Sequence, residues 1–326
     1  MKVIIGIPTY RNNGSTIGNL LDSLTRQTYT DFRVVIIMKR GDPEGDEKTL
    51  EAIERLSKTL DVKLIEQKEG LFEEALALLF KEKADVYLTS DDDAFVSPSW
   101  IEDHLRIMEK DKIGVATGEI EGQKWVNYPN LLFDKFRDKE YMKPYCDVFE
   151  DYQGFLTKVG LSVDKDNEVT LRTYRTLAVA GVNMSVKRKA IEGYSPLTFT
   201  LRGAYNETLI ALNGIKKGLH SVVFQGAKVN HKDRESLSRT KNRDTANYLA
   251  LEKFVLPYAV NLLGFNIDVK LLRSFMEEVD WEVAKEGISI ALTGIEERLK
   301  PKEIREMLRN SKYYKALQMG KIEQKD

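Results

Sequence analysis

Val86-Tyr87-Leu88-Thr89-Ser90-Asp91-Asp92-Asp93 runs an apolar segment straight into three consecutive carboxylates. Adjacent carboxylates at a strand end repel one another and are costly to hold together without a cation. Hard cations such as Mg²⁺ and Mn²⁺ take oxygen ligands, commonly one or two carboxylates completed by substrate phosphates. The plainer alternative is a solvated turn, or a helix N-cap ahead of Pro98. The pattern around the triplet decides between them.

Upstream, strand and helix signals alternate. Val3-Ile4-Ile5-Gly6-Ile7 is a continuous apolar run, as a strand covered on both faces requires. Ile17, Leu20, Leu21 and Leu24 follow at helical spacing, and Val34 to Met38 is a second apolar strand. Leu50, Ile53 and Leu56 mark a helix, Val62 to Ile65 a third strand, and residues 71–82 a further helix. Val86 to Thr89 is then the fourth strand, Pro98 opens another helix, and Ile113 to Thr117 reads as a fifth strand. This repetition predicts an α/β fold, a mostly parallel sheet with helices on both faces. Ligands of such sheets bind outside the carboxyl ends of the strands. That rule puts Pro8 to Asn12, Met38 to Asp42 and Ser90 to Asp93 on one rim, and it favours the cation over the solvated turn.

Downstream, residues 121–175 are aromatic and charged with little periodicity, and read as an inserted loop region or lid on the acceptor side. The pattern resumes at Leu177-Ala178-Val179-Ala180, with a turn at Gly181-Val182-Asn183, a helix near 202–217 and a strand at Ser221 to Phe224. From about 244 the signals are helical only, including segments near 268–279, 280–292 and 301–310. The expected organisation is therefore a domain over 1–234 followed by a helical region over 235–326.

Composition narrows the partners. The 326 residues carry 50 basic and 51 acidic side chains, a formal net charge of −1, so no global field points to nucleic acid. Cys146 is the single cysteine, which excludes an intrachain disulfide and a cysteine zinc site and fits a reducing cytoplasm. The N-terminal apolar run lacks a cleavage-type ending and reads as a core strand rather than a signal peptide. The longest apolar stretch, Phe254 to Phe265, is broken by Pro257 and Asn261 and is too short to span a bilayer. Peripheral membrane contact and a homodimer both stay open.

Four ordered motifs together resemble the GT-A fold glycosyltransferases of family 2. Ile5 to Asn12 resembles that family's nucleotide-binding first strand and loop, and Leu21-Asp22-Ser23-Leu24 with Gln27-Thr28-Tyr29 resembles the next helix and its ending. Leu88 to Pro98 resembles the acidic metal motif, with Asp91 and Asp93 at its two outer positions. Gly181 to Val186 resembles the segment lining the acceptor side. The likeness covers about residues 1–232. It implies a Rossmann-like GT-A domain with a C-terminal helical extension. It implies a nucleoside-diphosphate sugar as donor and a glycan, lipid-linked or small-molecule acceptor. It also implies Mn²⁺ or Mg²⁺ held by Asp91 and Asp93, with His231 near the metal or the diphosphate. Pro8, Thr9, Tyr10, Arg11, Asn12, Asp42, Asp91, Asp92 and Asn183 are the implied nucleotide-sugar contacts.

An inverting transferase needs a carboxylate to take the proton of the attacking hydroxyl. Counting back from Gly218, as the family's spacing implies, lands on Glu207, with Asp233 and Glu192 as poorer candidates. The family's acids after the second strand are missing from Met38-Lys39-Arg40-Gly41-Asp42. Either Asp42 substitutes for them, or Lys39 and Arg40 meet phosphates instead. Trp125 and Tyr128 are candidates for stacking on a sugar, whereas Trp100 reads as core. The basic run Lys232, Arg234, Arg239, Lys241 and Arg243 is either a mobile loop over the diphosphate or a solvated linker. Two rival functions on related architecture are a sugar nucleotidyltransferase and a non-catalytic nucleotide-sugar-binding protein. A retaining transferase is a further alternative.

Overall fold

A computed structural model describes all residues except 13, 123–125, 166–171, 232–241 and 324–326. Trp125, Lys232, Asp233, Arg234, Arg239 and Lys241 therefore lie outside the described residues. The chain divides into two compact units. The first comprises Met1–Gln123, Val169–Pro196 and Ile210–Asp233; the second comprises Lys124–Glu168, Leu197–Leu209 and Arg234–Asp326.

The described strands, in chain order, are β1 Val3–Tyr10, β2 Phe32–Lys39, β3 Val62–Glu66, β4 Val86–Thr89, β5 Ala94–Val96, β6 Ile113–Thr117, β7 Ile120–Gly122, β8 Tyr152–Leu156, β9 Ser162–Asp164, β10 Thr173–Thr176, β11 Met184–Lys187, β12 His220–Phe224 and β13 Val229–His231. The first unit's main sheet has the order β3-β2-β1-β4-β11-β6-β12-β10. β1, β2, β3 and β4 are mutually parallel, and β12 is parallel to β6. β11 breaks the pattern by running antiparallel between β4 and β6. A small second sheet, β5-β13-β7, carries the end of the triplet turn.

The apolar runs of β1 and β2 are continuous because both faces are covered. Val3, Ile5 and Ile7 pack with Leu20, Leu21, Leu24, Val34 and Ile36 on one side. On the other side, a Cβ on Gly6 would lie 2.3 Å from Leu79 Cδ2, so the helix Phe72–Lys81 packs directly on bare backbone there. Trp100 is fully buried, as expected of a core tryptophan.

In the second unit, β8 and β9 form an antiparallel hairpin. The remaining structure is helical, with described helices at Asn130–Phe136, Arg243–Lys253, Leu256–Leu262, Val269–Glu278, Glu282–Glu296, Pro301–Asn310 and Lys312–Glu323. Asn242 and Asp268 cap two of them by accepting backbone N–H groups. A Cβ on Gly287 would meet Phe254 Cβ at 2.6 Å, so the helices Glu282–Glu296 and Arg243–Lys253 close on each other at a residue without a side chain.

Four expectations need correction. Residues 121–175 are not an irregular loop: they hold Asn130–Phe136, two short 3₁₀ turns, β8, β9 and part of β10. The elements are too short for periodicity, and aromatic pairs such as Phe133–Phe155 and Phe136–Phe275 supply the core instead of an aliphatic stripe. The pattern expected to resume at Leu177 to Ala180 resumes instead on either side of it, at β10 and β11. The helix expected near 202–217 begins only at Asn206, because residues 201–205 turn. Pro98 sits in the turn before its helix, which starts at Trp100.

Candidate active site

β4 ends at Thr89, and Asp91 to Ala94 forms a turn in which Ala94 N–H donates to the Asp91 carbonyl (3.1 Å). The turn sends successive side chains different ways. Asp92 Oδ2 accepts from Thr9 Oγ1 (2.5 Å), which ties it to the carboxyl end of β1. Asp91 and Asp93 instead meet His231. Its Nε2 lies 3.1 Å from Asp93 Oδ1 and 3.4 Å from Asp91 Oδ2. The register of the small sheet makes this meeting: β13 runs antiparallel to β5 with His231 opposite Ala94, next to Asp93. Ligand atoms of Asp91, Asp93 and His231 all lie within 4.8 Å of one another.

Asp93 and His231 are each 4% exposed, whereas Asp91 is 44% exposed at its side chain, so the cluster is closed on one side and open on the other. Two carboxylate oxygens and an imidazole nitrogen form a donor set suited to a divalent cation such as Mn²⁺. The buried hydroxyl of Ser90, in the same turn, makes no hydrogen bond among the described residues. A polar group buried at that position is the kind that a bound ligand or its water satisfies. The residues present therefore fit a metal.

The β1 end supplies the neighbouring surface. Pro8 is partly buried, while Tyr10 and Arg11 are exposed. Arg11 has φ +54°, a left-handed turn that carries its guanidinium to 5.1 Å from the Tyr10 ring centroid. Lys39 Nζ lies 5.5 Å from the same centroid and donates to Gly70 O (2.6 Å). Asn12 is buried, and its side chain works within the loop: Nδ2 donates to Thr16 Oγ1 (2.6 Å) and Oδ1 accepts from Gly14 N–H (2.9 Å). It braces the β1 loop, and its Nδ2 also reaches the Asp92 carbonyl (3.5 Å). Asp42 caps the helix Pro43–Leu56 by accepting from Gly45 N–H (3.2 Å), and buried Asp46 accepts from the N–H groups of Gly41 and Asp42. The acids after β2 thus hold their own loop.

Asn183 needs a larger correction. It is fully buried, and its amide is saturated. Oδ1 accepts from Trp100 Nε1 (2.7 Å) and His104 Nε2 (2.8 Å), while Nδ2 donates to Glu119 O (2.9 Å) and Ala227 O (2.7 Å). Four hydrogen bonds exhaust an amide side chain. No capacity is left for a sugar, so the side chain is an internal strut. Because Asn183 Oδ1 only accepts, His104 carries its proton on Nε2, and Nδ1 accepts from Ser185 Oγ (2.9 Å). Burial drives the His104 pKa down to about 4, which keeps the ring neutral.

Gln27, in the segment after the first helix, is a second strut. Its Nε2 donates to Ser97 O (2.8 Å) and its Oε1 accepts from Ile101 N–H (3.1 Å), pinning the chain that leaves the triplet turn.

Glu207 lies in the second unit, in the first turn of the helix Asn206–Ile215. Its positive neighbour is Lys253, whose pKa burial lowers to about 8 against the raising influence of Asp164, Glu207 and Glu252. Tyr128 is partly buried, with Lys253 Nζ 5.7 Å from its ring centroid. Nothing in local sequence flags Lys253 or Glu252, because only the folded helix brings them to the turn before Glu207.

Two carboxylates and an imidazole gathered where β4 ends define an α/β protein with a metal-competent cluster. Residues 4–164 match the family described as Glycosyl transferase family 2. No curated protein matches the chain. Among solved structures it is similar to the mannosyltransferase PcManGT from Pyrobaculum calidifontis in complex with GDP-Man and Mn²⁺, at 14% identity and TM-score 0.51, covering 99% of this chain and 88% of that one. It is also similar to S. aureus TarS 1–349 in complex with UDP-GlcNAc, at 13% identity and TM-score 0.50, covering 95% and 91%. At such identities the likeness is one of fold. With the family match it identifies the chain as a GT-A-fold, family-2-like glycosyltransferase. No described helix is long and apolar enough to cross a membrane.

Proposed function

We propose that the protein is a metal-dependent glycosyltransferase that moves a sugar, with inversion, from a nucleoside-diphosphate donor to an acceptor hydroxyl. The observation that carries this is the convergence of Asp91, Asp93 and His231 within 4.8 Å at the carboxyl end of a parallel strand. These three residues would hold Mn²⁺ or Mg²⁺, and the imidazole in the set would favour Mn²⁺. The ion supplies positive charge against the diphosphate, whose own charge grows as it leaves. Thr9 restrains Asp92 so that the turn keeps its two outer carboxylates together. Half-exposed Tyr10, with the Arg11 and Lys39 cations over its ring, contributes the nucleotide-sugar contact.

Glu207 takes the proton from the acceptor hydroxyl as it attacks the anomeric carbon from the face opposite the leaving group. Its place in a first helical turn, where it acts electrostatically on Lys253, supports this role. In this reading residues 121–175 serve the acceptor, and the helices from about 235 shape the acceptor site or a dimer interface.

The test is turnover and hydrolysis of a panel of UDP- and GDP-sugars, including UDP-GlcNAc and GDP-Man, with product anomers read by NMR. Glu207→Gln should lower kcat by about 10²–10⁴-fold with donor binding retained. Donor binding without any turnover would favour a non-catalytic binding protein, and retention at the anomeric carbon would remove Glu207 from the role of base.

A further inference from the structure

Thr200 to Asn206, the stretch before Glu207, is an unusually constrained turn. Gly203 has φ +80° and Tyr205 φ +63°. A left-handed tyrosine is strained, and such strain persists only where the surroundings over-determine it. Within the turn, Thr200 Oγ1 accepts from Gly203 N–H (2.9 Å), and Asn206 Nδ2 donates to Gly203 O (3.0 Å). Further restraints come from the last two residues of one helix, Arg243–Lys253.

Glu252 is fully buried, and its Oε1 accepts from Leu201 N–H (2.5 Å), Arg202 N–H (2.9 Å) and Tyr248 OH (2.9 Å). Its Oε2 has no hydrogen-bond partner among the described residues. A carboxylate half-satisfied in the interior is costly. An apolar residue would pack there without that cost but would leave two backbone N–H groups of the turn without an acceptor. Lys253 holds the other end. Its Nζ donates to Val126 O (2.7 Å) and lies 5.6 Å from the Tyr205 ring centroid, while the Tyr205 hydroxyl donates to Asn127 Oδ1 (3.1 Å). The ring of the strained residue is therefore fixed at its tip and along its face.

We propose that Glu252 and Lys253 are positioning residues for Glu207: Glu252 clamps the turn that leads into it, and Lys253 fixes Tyr205 and keeps a positive charge beside the carboxylate. The inference rests on Glu207 being the base. The charged groups that act on Lys253 among the described residues include Asp164 from β9, Glu207 from the helix Asn206–Ile215 and Glu252 from its own helix. Tyr128 and Tyr205 are its titratable aromatic neighbours. Its pKa of about 8 means that part of this charge is lost in mildly alkaline solution.

The test is steady-state donor hydrolysis by the full chain with Mn²⁺, using UDP-GlcNAc and GDP-Man, across pH 6 to 10. Glu252→Ala should lower kcat by about 10²-fold with donor KM unchanged, and Glu252→Gln, which keeps an acceptor oxygen, should recover most of it. Lys253→Met keeps an unbranched stem of similar length and should fold; it should lower kcat by roughly tenfold and erase the alkaline decline near pH 8. Lys253→Arg should keep kcat and move that decline upward by at least about one pH unit, because a guanidinium stays charged. A purely structural lysine would leave the pH profile where it was. If Glu207→Gln abolishes turnover while Lys253→Met and a folded Glu252→Ala match wild type, the positioning roles are overturned and the base stands. If Glu207→Gln is unimpaired, the base and its positioning fall together.

Discussion

Replacing Asn183 by alanine separates an internal strut from a ligand contact. The substitution strands two buried donors, Trp100 Nε1 and His104 Nε2, and one buried acceptor, Ala227 O, while Glu119 O keeps its bond from Val229 N–H (2.9 Å). A buried group left without its partner costs about 1–3 kcal/mol, and water entering the vacated volume recovers part of the loss. Neighbouring bonds in one network are not additive, so we expect a total of about 3–5 kcal/mol rather than three full penalties. The assay is urea unfolding of wild type and Asn183→Ala at pH 7, with the m-value checked for constancy. At low temperature, where both remain folded, donor affinity should match within about twofold, since the amide has no bond left for a ligand. A loss of stability below about 1 kcal/mol, or a tenfold loss of donor affinity in a folded variant, would refute the strut.

His104 gives a pH-dependent counterpart. Its folded pKa of about 4 lies below the ordinary 6.5, so the fold favours the neutral ring. That stabilisation is complete above pH 6.5 and is lost as pH falls toward 4; between pH 7 and pH 5 it should amount to about 2 kcal/mol, and His104→Gln should show less pH dependence in urea unfolding over that range. Gly6→Ala should destabilise by about 1–3 kcal/mol, because the new Cβ must displace Leu79 from β1. A Tm equal to wild type would mean the helix Phe72–Lys81 shifts freely.

The first half of the sheet was legible because a strand buried on both faces writes an uninterrupted apolar run, as in Val3 to Ile7 and Val34 to Met38. β11 was not. Met184-Ser185-Val186-Lys187 is four residues long, and its antiparallel place between β4 and β6 depends on partners far away in the chain. The clamp was half legible: three carboxylates after an apolar strand announce a cation, and the family resemblance pointed to His231. The division of labour inside the triplet, with Asp92 turned to Thr9, follows from turn geometry that composition does not encode. Asn12 and Asn183 illustrate a general ambiguity. A polar residue near strand ends serves either a ligand or the backbone around it, and only the count of its hydrogen bonds distinguishes the two.

The central claim is that Asp91, Asp93 and His231 form a metal clamp for the donor diphosphate. Calorimetric titration of the protein with UDP- and GDP-sugars, with and without Mn²⁺, addresses it most directly. The account predicts binding that requires Mn²⁺ or Mg²⁺ for at least one donor and is lost from Asp91→Ala/Asp93→Ala while that variant still unfolds cooperatively. Metal-independent binding, or equal binding by the double variant, would contradict it.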